Sequence, residues 1–162
     1  MFKVLDGATA PTRATKYSAM VDLYANADVV IGAGETKIIP LGVKIDIEYI
    51  KSIFTTQNYC VHSDTLNEFL STHFLELHPR SSLRAKGLII GVGVIDLDYP
   101  DEIGLIVHNP ILDVSFGVYN GDAFKISKGD KVAQCTLMEH KGYLMGIESD
   151  AERSGGFGST GV

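Results

Sequence analysis

A mostly β fold, a barrel or jelly-roll sandwich with one short inserted helix, is the class this sequence predicts. Seventeen glycines punctuate its 162 residues, as expected where many short strands must reverse direction. The runs GLIIGVGVIDLDY at 87–99 and EIGLIVHN at 102–109 are rich in Val and Ile, which fit a pleated, half-buried surface. Strand patterns do not alternate with long amphipathic helices, which argues against a doubly wound sheet.

Further short extended segments are predicted at 36–39, 42–47, 123–126 and 132–139. One segment departs from this pattern. After Thr65 the apolar residues Leu66, Phe69, Leu70 and Phe74 recur at i, i+3, i+4 and i+8, and Thr65 and Glu68 have the spacing of a capping box. A helix over 65–75 follows, within a link at about 49–77 that reads as an insertion, and its apolar stripe is expected to pack on the sheet. A second long connection runs over 110–124. The length suits one domain, residues 1–150, followed by a tail at 151–162.

The tail ends in SGGFGSTGV, where four of nine residues are Gly and Phe157 is the only large side chain. Such a segment buries too little to order itself, so it is expected to stay mobile until something binds. It reads equally as a frayed terminus or as a flap that closes over a ligand, with a flat ring and backbone amides to offer.

Composition narrows the function classes. A formal charge of -6 gives no overall attraction for nucleic acid or an anionic membrane, so any anion must be held locally. The longest apolar stretch, 87–95, is too short to cross a bilayer. MFKVLDGATAPTR has no apolar signal core, and a cytoplasmic location is expected, the host-cell cytoplasm if the source is viral. Cys60 and Cys135 are far apart with no CxxC, which suits two reduced thiols better than a disulfide or a zinc site.

Four groups of residues suggest chemistry. Arg80, Ser81 and Ser82 place a planar bidentate donor beside two hydroxyls, a fit for phosphate oxygens or equally for a surface carboxylate near turn serines. Asp96 and Asp98, if both lie in one strand, share a face of an apolar run. They need hydrogen bonds, a cation or a catalytic task to be tolerated there, unless Asp98 to Asp101 instead form the acidic end of a hairpin as a charged turn. Gln134 sits in an apolar strand and can both donate to and accept from a water, or serve as a structural amide. Asp22 lies between apolar neighbours and suits either a turn or a magnesium outer shell. The five histidines show no ligand spacing, and GGFGSTG lacks the Gly-Lys pair of a P-loop.

Taken in order, PRSSL (79–83), GVIDLDY (93–99), GDKVAQ (129–134) and GGFGSTG (155–161) resemble the conserved boxes of the trimeric deoxyuridine triphosphate nucleotidohydrolases, the dUTPases. AMVDLYA (19–25) resembles the first of that family's five boxes in degraded form. The resemblance spans residue 19 to the end of the chain. It implies a β-rich jelly-roll protomer, a homotrimer with shared active sites, dUTP as substrate and Mg2+ as cofactor.

Roles follow from the resemblance. Asp96 would bond the deoxyribose 3'-hydroxyl and orient the water that attacks the α-phosphorus, with Gln134 helping to hold that water. The backbone of Gly93, Val94 and Ile95 would read the uracil edge in a β-hairpin, and Tyr99 would exclude a 2'-hydroxyl. Arg80, Ser81 and Ser82 would hold phosphate oxygens, and Asp22 would position Mg2+ through its waters. Arg153, Phe157, Gly158 and Ser159 would close the tail over the nucleotide.

The sequence also departs from the family pattern. Met20 and Val21 stand where Gly and Tyr are usual, and Arg153 is one residue closer to Phe157 than usual. Two rivals are a dCTP deaminase of the same fold and a non-catalytic regulatory module that contacts a protein through the insertions. The deaminase needs a carboxylate three residues before an Asn, and here Ile106 precedes Asn109.

Overall fold

Residues 1–56, 63–110, 113–114, 117–118, 123–147, 149 and 156 are described in a computed structural model of the chain. In chain order the elements are β1 (Phe2–Val4), β2 (Val21–Tyr24), β3 (Val29–Ile31), β4 (Thr36–Pro40), β5 (Val43–Ile45), α1 (Ile47–Thr56), α2 (Ser63–Thr72), β6 (His73–Pro79) and α3 (Ser81–Ala85). They continue with β7 (Gly93–Asp96), β8 (Gly104–His108), β9 (Asp113–Val114), β10 (Gly117–Val118), β11 (Phe124–Ile126), β12 (Lys131–Glu139) and a 3-10 turn at Gly142–Met145. The mostly β, jelly-roll-type class expected from the sequence holds.

All pairings between these strands are antiparallel. The largest sheet has the order β2-β12-β6-β7, and the other strands form the pairs β1-β5, β3-β11, β4-β8 and β9-β10. Period-two alternation builds the large sheet: Leu75 and Leu77 of β6 and Ala133 and Cys135 of β12 turn inward, while Phe74, Glu76, His78 and Gln134 line the other face. The inward side chains meet Leu23, Ile31, Ile39, Leu41 and Val107 in one core. Gly42 closes a turn that only glycine can make, because its φ is +67° and a Cβ there would lie 2.3 Å from that of Ala8.

The structure differs from the sequence reading mainly around the insertion. The segment 42–47, expected to be extended, ends as a strand at Ile45, and Ile47 opens a helix. Asp46 is the cause: its carboxylate accepts the Tyr49 N–H at 3.0 Å and its carbonyl accepts the Ile50 N–H at 3.0 Å, an N-cap that starts α1. Ile50 then anchors α1 in the core.

The expected helix over 65–75 is present but shifted, running from Ser63 to Thr72. The hydroxyls of Ser71 and Thr72 both donate to the Glu68 carbonyl, at 3.0 and 2.6 Å, as residues that compete with the helix backbone do near its end. Phe74, assigned to the helical stripe by spacing, lies instead in β6 opposite Asp96 and Met138. Cross-strand pairing on both sides outweighs the local periodicity there.

The long extended run expected over 87–99 contracts to β7 and a single bridge from Ile89 to His108. The strand stops at Asp96, and the Tyr99 N–H donates to the Asp96 carbonyl at 3.1 Å, so Asp98 lies in a turn rather than beside Asp96 on one strand face. That turn carries Leu97 and Tyr99 into the core. Cys135 is buried as expected of a reduced thiol, and desolvation pushes its pKa up to about 12. Cys60 lies outside the described residues. No helix among the described residues is long and apolar enough to cross a membrane.

Candidate active site

The strands β7 and β8 are consecutive, yet they do not pair with each other: β7 bonds β6 and β8 bonds β4. A cavity of about 340 Å³ opens between them. Its walls include Gly93, Val94 and Ile95 from β7, Leu105 and Ile106 from β8, and Tyr99 from the turn that joins them. Four residues named from the sequence, Gly93, Val94, Ile95 and Tyr99, thus come together. Because β7 is the edge of its sheet, its outer row of N–H and C=O groups is the kind of surface that pairs with an incoming planar ligand as with a strand.

Tyr99 is 6 % exposed and forms one wall of the cavity. Gly156 of the tail rests on its ring so closely that a Cβ at Gly156 would lie 2.5 Å from Tyr99 Cε2. The tail therefore reaches this cavity at Gly156. Arg153, Phe157, Gly158 and Ser159 lie outside the described residues. Asp96 stands exposed at the end of β7.

A second group gathers around β2 and the start of α3. Arg80 is extended, with φ -69° and ψ 139°, and precedes α3 as its N-cap residue. Its backbone N–H donates to the Val132 carbonyl at 3.0 Å, which ties it to β12. Ser81 and Ser82 occupy the first turn of α3 and are exposed, while Leu83 secures that turn in the core. The Arg80 guanidinium donates to Asp22 Oδ1 at 2.5 Å and the Lys131 ammonium donates to Asp22 Oδ2 at 3.1 Å. Gln134 faces Asp22 across β2 and His78 across β6.

The sequence suggested Asp22 as a magnesium outer-shell ligand, and the donor set does not fit that role. Each of its oxygens already accepts from a cation, and its side chain is 3 % exposed. Among the described residues no cluster of three or more His, Cys, Asp or Glu side chains is placed to hold a metal ion. Lys131, which the sequence reading quoted within GDKVAQ but did not single out, is the residue it missed. A cation three positions before Gln134 was the available signal.

Register also separates the two proposed catalytic residues within one chain. Asp96 lies opposite Phe74, which faces Met138, whereas Gln134 faces His78. From the spacings of a β-sheet, Asp96 and Gln134 are about 13 Å apart along the strands and about 10 Å apart across them. One protomer does not bring them to a common point.

A ring-sized cavity between splayed strands, with a separate pair of arginine and lysine on a buried carboxylate, defines a mostly β protein with the means to bind a flat group and an anion. The family model for dUTPase matches residues 76–161. The deoxyuridine 5'-triphosphate nucleotidohydrolase of variola virus is 32% identical over 166 residues, covering 99% of this chain and 90% of its own. The chain belongs to the dUTPase family.

Two solved structures share the fold. A mutant dUTPase from phage phi11 of S. aureus, described with a structural Mg(II) ion, superposes with a TM-score of 0.62 at 20% identity over 97% of both chains. A mutant dUTPase of Staphylococcus bacteriophage 80alpha, described with dUpNHpp, has a TM-score of 0.61 at 19% identity over 98% of this chain and 97% of its own.

Proposed function

We propose that this chain hydrolyses dUTP to dUMP and pyrophosphate. The observation that carries the reading is the cavity between β7 and β8, bounded by the edge strand β7, with Asp96 at the strand end. Uracil enters between the strands and pairs with the backbone of Gly93, Val94 and Ile95. A 4-amino group presents a donor where the uracil carbonyl presents an acceptor, and mismatched buried groups cost about 1–3 kcal/mol each. Tyr99 closes the sugar end against a 2'-hydroxyl.

Asp96 accepts a proton from water as the water oxygen forms its bond to the α-phosphorus. The bond from that phosphorus to the bridging oxygen breaks, and pyrophosphate leaves with the electron pair. General-base assistance of this kind contributes about 10²–10⁴ in rate. Gln134 holds the water, Arg80, Ser81 and Ser82 bind phosphate oxygens, and Arg153, Phe157, Gly158 and Ser159 close the tail over the nucleotide. Mg2+ accompanies the triphosphate rather than a seat on Asp22.

The active unit is a homotrimer in which the β7–β8 cavity of one copy meets the Arg80–Gln134 region of another. The separation of Asp96 from Gln134 within the single chain supports that arrangement. Ile106, an apolar wall of the cavity, stands where a deaminase would need a proton-shuttling carboxylate, which favours hydrolysis. The test is pyrophosphate release from dUTP in the presence of Mg2+, beside dCTP, dTTP and UTP. Turnover of dUTP alone is expected, and turnover of dCTP with ammonia release would overturn the reading.

A further inference from the structure

The insertion and the root of the tail meet at one end of the large sheet. Glu139, the last residue of β12, pairs with His73, the first of β6, so the chain leaving β12 comes up beside the end of α2. There the His140 N–H donates to the Thr72 carbonyl at 2.7 Å. Thr72 is the last residue of α2, and the final carbonyls of a helix have no partner within it. The chain that leads toward the tail thus caps the inserted helix.

The His140 side chain then turns the chain. Its Nδ1 accepts the Gly142 N–H at 3.0 Å, and Gly142 opens the 3-10 turn that runs to Met145. A backbone N–H can only donate, so Nδ1 must use its lone pair, which puts the ring hydrogen on Nε2. The approach is close: a Cβ at Gly142 would lie 3.1 Å from Nδ1 and 3.4 Å from Cε1. The same ring leans on Phe74, with centroids 5.9 Å apart, and Phe74 is the cross-strand partner of Asp96. One imidazole therefore joins the root of the tail to the strand pair that carries the proposed base.

Burial does not hold the turn in place. None of its four residues is buried, and Leu144 and Met145 are 70% and 74% exposed. Tyr143 stands across an open cleft of about 630 Å³ from Glu68, Phe69 and Ser71 of α2. A segment with so little packing takes its direction from its hydrogen bonds. Those at its entry run through His140, and Gly146, left-handed at φ +67°, ends it.

We propose that His140 is a positioning residue for the tail, and that the end of the inserted helix α2 is the support against which it sets the tail's course toward the nucleotide. This rests on the proposed nucleotide reading, in which the tail closes the site. It gives the insertion a task in that closure. A tail that leaves its root in a fixed direction searches fewer conformations before it closes, which lowers the ordering cost of the closed state.

The test is kcat/KM for dUTP in the full-length chain carrying H140Q or H140N, each with and without F157A. H140N brings a carbonyl oxygen close to the position of Nδ1 and can still accept the Gly142 N–H, whereas the amide of H140Q lies one bond farther out. H140Q is expected to lower kcat/KM about fivefold, the scale of one neutral hydrogen bond, and H140N to stay within about twofold of wild type. F157A, which removes the only large side chain of SGGFGSTGV, is expected to cost about tenfold, the scale of one aromatic–base stack. With F157A present, H140Q is expected to cost less than about twofold more, because a tail that no longer closes gains nothing from its direction.

An H140N loss equal to that of H140Q overturns the inference, because it traces the effect to packing of the ring. A H140Q loss that adds in full to that of F157A overturns it as well. Should H140Q fail to fold, G142A carries the test: its methyl crowds Nδ1 and is expected to cost about threefold alone and nothing further beside F157A, and equal losses in both backgrounds overturn the proposal. A wild-type chain that does not cleave dUTP overturns the nucleotide reading itself, and F157A without effect overturns the closing role of the tail and this inference with it. A wild-type chain that cleaves dUTP and that H140Q leaves unchanged overturns only this inference.

Discussion

The cavity between β7 and β8 and the corner formed by Asp22, Arg80 and Lys131 are built from opposite materials. The first is built from an edge strand, apolar walls and one buried tyrosine. The second is built from three charges, one of them sealed from solvent. A neutral cavity discriminates by shape and by which backbone group meets which ligand atom, and salt affects it little. A charged corner grips any oxyanion of suitable size, and its grip weakens as salt rises. On the proposed function, base identity and triphosphate length would be read in different places by different forces.

The largest test of this division is Asp96→Asn, which removes the proposed base while emptying neither region. Turnover of dUTP should fall by about 10³, with dUpNHpp affinity within about threefold of wild type in a binding titration. A comparable loss of affinity would make Asp96 part of the grip.

Next in size, Tyr99→Ala should lower stability by about 3 kcal/mol, the usual cost of truncating a buried aromatic side chain, measured by urea denaturation. It should also raise activity on UTP relative to dUTP. Tyr99→Phe keeps the ring and should leave sugar discrimination near wild type. If Tyr99→Ala leaves sugar discrimination unchanged, that side chain is only a core residue.

A smaller effect is expected from Gly156→Ala. The added methyl meets the Tyr99 ring, so the tail must lift or the ring must move, and kcat/KM should drop about fivefold, close to 1 kcal/mol. If the tail lifts, the melting temperature should stay near wild type, whereas a fall would show that the Tyr99 ring, a core side chain, has moved instead.

The smallest effect at neutral pH lies away from both regions and serves as a control. The thiol of Cys135 ionises near 9.0, the ordinary value, when unfolded and only at about 12 when folded, so above pH 9 the unfolded chain binds fewer protons than the native one. Stability should therefore decline between roughly pH 9 and 12, by up to about 1.4 kcal/mol per pH unit. Cys135→Ala should flatten that slope in denaturation series without altering nucleotide binding.

Much of this arrangement was legible in the amino-acid order. The β-branched and alternating segments identified β4, β8, β11 and β12, and the boxes at 79–83, 93–99 and 129–134 pointed to residues that do line the cavity or the charged corner. Local signals failed where two long-range pairings competed with them. Phe74 has helical spacing to Phe69 and Leu70 but is claimed by strands on both sides. Helix α1 went unseen because Val43 and Ile45 favour strand, and only the Asp46 cap marks the change.

By itself the sequence determined which residue types are present and which short segments favour strand or turn, since those preferences act over a few neighbouring residues. It also determined the family, through the order of its boxes. Tertiary structure decided that β7 and β8 splay apart, that the β2–β12 register shifts between Lys131 and Ala133 and that Asp22 becomes a sealed anchor for two cations. Asp22 lies 58 residues from Arg80 and 109 from Lys131, and only strand register, set by burial of one face of each strand, brings such distant charges within hydrogen-bond reach.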